Sequence, residues 1–150
     1  MNFAVTDANG SIIFESGKLN SDGSIEGADG DDNYRQYEPH YNTITSPDEV
    51  LIFESIMGDT RGQVTHSLIE AARHLKDNRL TPAGFDKNVV SSDVAVTGEA
   101  FLDDNFNAGL DSFEYRVPVS QSGTYQIIAT LVYQPLACLL YTSPSPRDRG

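Results

Sequence analysis

The stretch Asn2–Gly17, NFAVTDANGSIIFESG, decides how the chain is read. Phe3 and Val5 alternate with polar neighbours, and a second β-forming run, Ile12-Ile13-Phe14, follows at short distance. Between them sits Asn9-Gly10, a pair that accepts the positive φ angles of a two-residue hairpin turn. This predicts two antiparallel strands joined by that turn. The same period of two returns later. Phe113, Tyr115, Val117 and Val119 alternate with Ser112, Glu114, Arg116 and Pro118, and Tyr125 to Tyr133 alternates again. VLIFESIM, residues 50–57, reads as a short buried strand. DVAVTGEAF, residues 93–101, places Val94 and Val96 in strand period. Short strands separated by turn signals predict an all-β chain, a β-sandwich of immunoglobulin-like type.

Two segments resist that pattern. Residues 17–49 are rich in Gly, Asp, Asn and Ser, and predict one long acidic loop. Tyr34, Tyr37 and Tyr41 within it suggest that part of the loop packs down. In residues 64–80, Leu68, Ala71, Ala72 and Leu75 fall on one helical face, and Ser67 with Glu70 has capping-box spacing. Local propensity there favours a helix.

Composition narrows the function classes. The chain has 150 residues, 22 Asp and Glu against 10 Lys and Arg, and a formal net charge of −12. Nucleic acid and anionic membrane surfaces, which need basic contacts, are poor partners for it. Cations and basic protein faces suit it better. No apolar run approaches the roughly 18–20 residues of a membrane span, and MNFAVTDANG has no basic start or apolar core of a signal peptide. The single cysteine, Cys138, gives neither a disulfide framework nor a metal cluster.

Cys138 belongs to a stretch of its own. CLLYTSPSPRD, residues 138–148, resembles the conceptual translation of a transposase-type sequencing adapter. On that reading the native domain is 1–137, incomplete at both ends, residues 138–150 are a non-native tail, and the source is an assembled environmental fragment. A sandwich cut in this way exposes sheet edges, so residues 1–137 alone are expected to be marginal or aggregation-prone.

The remaining motifs, taken in order, carry a family resemblance. They are IIFESGKLNSDGSIEG, YEPHYNTITSPDEVLIFESIMGD, LKDNRLTPAGFDK, VAVTGEAFLDDNF, FEYRVPV and LVYQP. Together they are similar to the C-terminal non-haem β-domain of multihaem c-type cytochrome family proteins, from about Asn2 to Pro135. The family carries Cys-x-x-Cys-His haem-attachment motifs upstream, and this sequence has none. It also has a Gly-His-Lys-Leu-Pro-type segment leading into the first strand, whereas this chain opens inside that strand. The resemblance implies a periplasmic or extracellular location, an upstream haem domain of the same protein as partner, and haem c outside this sequence. It also implies that residues 64–80 are extended opposite VLIFESIM, and the strand is the reading preferred here.

Four sets of residues are candidates for chemistry. Asp22, Asp29, Asp31 and Asp32, with Asn20, Glu26 and Asn33 nearby, offer hard oxygen ligands suited to Ca²⁺, although no EF-hand spacing is present. His40, flanked by Pro39 and Tyr41, is a candidate axial ligand or haem-facing residue, the resemblance supplying the haem. Asp77, Asn78 and Arg79 read as a structural corner. His66 and His74 have no Cys or carboxylate at ligand spacing and read as ordinary surface or core histidines. No Gly-x-Ser-x-Gly elbow, phosphate-cradling loop or His-Glu-x-x-His helix occurs, so no enzymatic role is expected. The expected function is that of an accessory domain of an exported multihaem cytochrome, packing on the haem domain or presenting an acidic surface to a redox partner. The alternative is a stand-alone extracellular binding or adhesion module with a Ca²⁺-stabilised loop.

Overall fold

A computed structural model describes residues 1–134 of the chain. The expected domain boundary at 137, the tail and Cys138 lie outside the described residues. Within them the fold is β-rich, and the helices α1 (Asp29–Asp32) and α2 (Glu99–Leu102) are single turns. The strands are β1 (Asn2–Thr6), β2 (Ile12–Ser16), β3 (Thr43–Ile44), β4 (Ser55–Gly58), β5 (Arg73–Asp77), β6 (Glu114–Tyr115) and β7 (Gln126–Thr130). They form three small sheets, ordered β2-β1-β7, β3-β6 and β4-β5.

The hairpin β1–β2 forms, but its turn differs from the expected one. Asp7 N–H donates to the Ser11 carbonyl and Gly10 N–H donates to the Asp7 carbonyl. Three residues, Ala8 to Gly10, therefore close the loop. Gly10 alone takes a positive φ, +81°, as the bulge position of a three-residue hairpin requires. The Asp7 carboxylate explains the choice, because it accepts both the Asn9 and the Ser11 N–H groups (2.8 and 2.9 Å).

Across the sheet, Val5 faces Phe14 on one side and Ile127 on the other. Val5 and Phe14 are buried with Ile44, and Phe3, Tyr41, Phe113, Tyr115, Val117 and Tyr125 pack around them. Tyr115 is the hub of this core. Its ring stacks on Phe3 (3.8 Å between centroids) and meets Phe14 and Phe113 edge-on. The alternation read from FEYRVPV thus identifies the inward face, although only Glu114 and Tyr115 enter a ladder, parallel to β3.

Residues 17–49 are not one loop. Leu19 bridges Ile25, α1 forms a turn, and Thr43-Ile44 pairs with β6. The interior of the segment is held by Glu38, 1% exposed, whose carboxylate accepts N–H groups from Asp29 and Val50 (2.9 and 3.3 Å). A buried carboxylate with several donors replaces the strand ladder that this composition cannot form.

Residues 64–80 divide. Arg73–Asp77 is strand β5, antiparallel to β4. Ser67 begins one helical turn, with the Glu70 and Ala71 N–H groups donating to its carbonyl. The anticipated Ser67–Glu70 box is replaced by Thr65, whose hydroxyl accepts from Ser67 N–H and donates to Glu70. Of the apolar positions that suggested a helix, Leu68 is more than 90% exposed, Ala72 is exposed, and Ala71 and Leu75 are only partly covered, Leu75 within β5.

The strand expected at 93–101 is absent. Thr97 makes a single bridge to Asp77, Gly98 takes φ +83°, and α2 begins. Val96, Ala100 and Phe106 then bury together, with Phe53 and Phe85 against them, as a second small core.

Candidate functional site

The two cores adjoin a buried polar node centred on His40, Asn78 and Asp103. Asn78 builds it. Its N–H donates to the Glu54 carbonyl (3.1 Å), while its side-chain Oδ1 accepts the Glu54 N–H (2.8 Å). Its Nδ2 donates to the Ile52 carbonyl (3.0 Å) and to His40 Nδ1 (3.1 Å). The side chain thereby continues the β4–β5 ladder past its last backbone pair. Residues 50–54 of the expected strand lie outside any named strand, although Val50 and Leu51 are fully buried. Lys76 reinforces the arrangement, with Nζ on the Ile52 carbonyl (3.0 Å) and on Glu54 (3.1 Å). Burial pulls the Lys76 ammonium down from its ordinary value, against the opposing charge of Glu54.

His40 is 6% exposed. Its Nε2 lies 3.2 Å from Asp103 Oδ2, and its ring meets Phe106 edge-on at 5.1 Å. The hydrogen positions follow from the neighbours. Asn78 Oδ1 faces an N–H and Nδ2 faces a carbonyl, so the amide has one permitted orientation. Nδ1 of His40 therefore accepts, and the ring proton sits on Nε2, donated to Asp103. The other Asp103 oxygen accepts the Asn105 N–H (3.0 Å). Lys87, also buried, places its ammonium on the carbonyls of Ala100 (3.2 Å) and Asp103, and so ties down the end of α2.

Asp111 completes the cluster. Donor atoms of His40, Asp103 and Asp111 lie within 4.8 Å of one another, a spacing also found among metal ligands. The tautomer argues against a ligand set, because Nε2 holds a hydrogen where a metal needs a lone pair, and Nδ1 has no acceptor to which that hydrogen could be passed. The arrangement is a hydrogen-bonded node joining four separate parts of the chain, near residues 40, 53, 78 and 105.

The residues expected from sequence are distributed as follows. His40 is in the node, but with both nitrogens engaged and the ring buried it presents no open edge to a haem outside the domain. Tyr41 packs against the aromatic core, and its hydroxyl is pushed well up by burial first and Glu38 second. Asp22, Asp29, Asp31 and Asp32 do not gather as a Ca²⁺ cage: among the described residues no three of these carboxylates come within 4.8 Å of one another. Asp22 accepts from the Ser24 N–H and hydroxyl, and Asp31 turns inward to the Ile25 N–H (2.6 Å). Local turns use the carboxylates that a cation would require. Asp77 and Arg79 form a bidentate ion pair (2.9 and 2.6 Å) beside Asn78, and Asp77 pairs its backbone with Thr97. His74 lies 2.9 Å from the Ser55 hydroxyl through Nδ1, and His66 lies 2.9 Å from the Tyr34 carbonyl through Nε2. Sequence reasoning missed Glu38, Lys87, Asp103 and Asp111. Each sits in a polar, turn-rich stretch that reads as solvated, and only their distant partners make them interior.

No family model, no curated protein and no solved structure matches this chain.

Proposed function

We propose that the chain is a non-catalytic accessory domain of an exported multihaem c-type cytochrome, an immunoglobulin-like β-sandwich that packs against the haem-bearing part of the same protein. Beyond the motif resemblance, one observation supports the docking role: the overhang of β7. Ile127 stands in register with Val5 and Phe14, yet it is 64% exposed. Every residue of β7 is exposed, as are Leu131, Val132 and Tyr133 after it. Among the described residues β7 is also an edge strand, with no strand paired on its outer side. A contiguous apolar edge of this kind is the usual mark of an interaction surface. The acidic character of the chain, net −12, leaves the remaining faces suited to a basic redox partner.

The test is the complete gene product, expressed in a host that attaches c-type haem, compared with this domain alone by hydrogen exchange. The reading expects covalent haem upstream and slower exchange over residues 126–133 in the larger protein. A gene without upstream Cys-x-x-Cys-His codons, or equal exchange at β7 in both proteins, would overturn it.

A further inference from the structure

Asp103, buried, and Asp111, half-buried, are two carboxyl groups of one cluster with opposite surroundings. Asp103 has a donor on each oxygen, His40 Nε2–H and Asn105 N–H. Both oxygens of Asp111 are shut off from solvent, and neither has a hydrogen-bond partner. A carboxylate in that position lacks donors and sits close to a second carboxylate, whereas a carboxylic acid is tolerated. We propose that Asp111 is a proton-binding site that couples the seating of the loop Asp103–Ser112 on the His40 node to pH. The protonated form closes the node, and release of the proton opens it.

The charged and titratable groups facing Asp111 agree with this. His40, from the segment after Pro39, is engaged with Asp103. Lys87, from the loop after Phe85, has its ammonium on the carbonyls of Ala100 and Asp103. Neither supplies Asp111 with a hydrogen bond. Burial raises the Asp111 carboxyl above its ordinary value, with an opposing pull from His40, a further push from Asp103, and a lowering influence of the nearby Ser112 N–H, which itself donates to Asn105 Oδ1. The sign follows. A group that binds its proton more tightly in the folded chain stabilises the fold below the ordinary carboxylate range, and this contribution is lost as pH rises through the folded value.

The experiment compares thermal midpoints of the whole chain and its Asp111→Asn variant from pH 4.5 to 8. The amide keeps the shape and stays uncharged. The wild-type midpoint is expected to fall relative to the variant as pH rises, the gap reaching about 5 °C. Parallel curves would overturn the proposal. Carboxyl NMR titration of the wild-type chain tests it without a substitution: an Asp111 midpoint at or below the ordinary value of about 3.9 also overturns it. So would a Zn²⁺- or Mn²⁺-induced rise in midpoint that Asp111→Asn abolishes, because the cluster would then hold a metal rather than a proton.

Discussion

The sheet β2-β1-β7 and the His40–Asn78–Asp103 node are held together by different physics. The sheet packs Val5, Phe14 and Ile44 with a stacked aromatic set, and its strands follow a period of two. Its energy comes from apolar area, which is tolerant of detail and spread over many contacts. The node ties the end of β5 and the segment after Val50 to the loops around His40 and Asp103, and it does so through Asn78, His40, Asp103, Lys76 and Lys87. Its energy is concentrated in a few groups, each costly to leave unpaired in a dry interior. The comparison teaches that half of this fold is organised by side chains doing what a backbone ladder does elsewhere.

The sharpest way to break the comparison is Asn78→Ala. It leaves Glu54 N–H and His40 Nδ1 without a partner and the Ile52 carbonyl with Lys76 alone, so a loss of about 4 kcal/mol in urea unfolding is expected. Asn78→Asp should cost nearly as much, since it keeps the acceptor for Glu54 but turns the donor end into a second acceptor. A tolerated Asn78→Asp would show that the donor bonds matter little. Phe14→Ala removes an aromatic anchor of the sheet and is expected to cost about 3 kcal/mol by the same measurement. Because the cost there is spread, Phe14→Leu should recover most of it, whereas no apolar residue should rescue position 78. The smallest effect belongs to β7. Ile127→Ser is expected to change the isolated domain by under about 0.5 kcal/mol, because the side chain is already in water. A large loss there would mean that the overhang is covered within this chain, and the docking role would fall.

The same contrast explains what was legible in the sequence. The hairpin and the inward face of Phe113–Val117 were readable, because alternation reports burial directly, whereas the extended part of 64–80 was expected only from the motif resemblance, against its local helical pattern. The loop after β1 was misjudged by one residue, since Asp7 selected the turn through its own side chain. The helix signal at Leu68–Ala72 faded because helical spacing says nothing about whether a core lies on that side. The strand at 93–101 yielded to Gly98 and to the burial of Ala100. Of the node, sequence pointed to His40, as a candidate ligand, and to Asn78, as a corner residue, but not to their contact. Glu38, Lys87, Asp103 and Asp111 look like surface charges until segments dozens of residues apart meet around them. The carboxylates offered for Ca²⁺ are close in sequence but do not gather in space, and two of them, Asp22 and Asp31, accept from neighbouring backbone N–H groups.

Asn78 fixes His40 as a hydrogen-bonded strut between the end of β5 and the loop at Asp103. Long-range ¹H–¹⁵N correlation of the imidazole rings reads this directly. The account predicts that His40 at neutral pH is the tautomer with its proton on Nε2, and that Asn78→Ala allows the ring to exchange between tautomers. A His40 ring carrying its proton on Nδ1 in the wild-type chain would contradict it, because Asn78 could not then hold Glu54, Ile52 and His40 together.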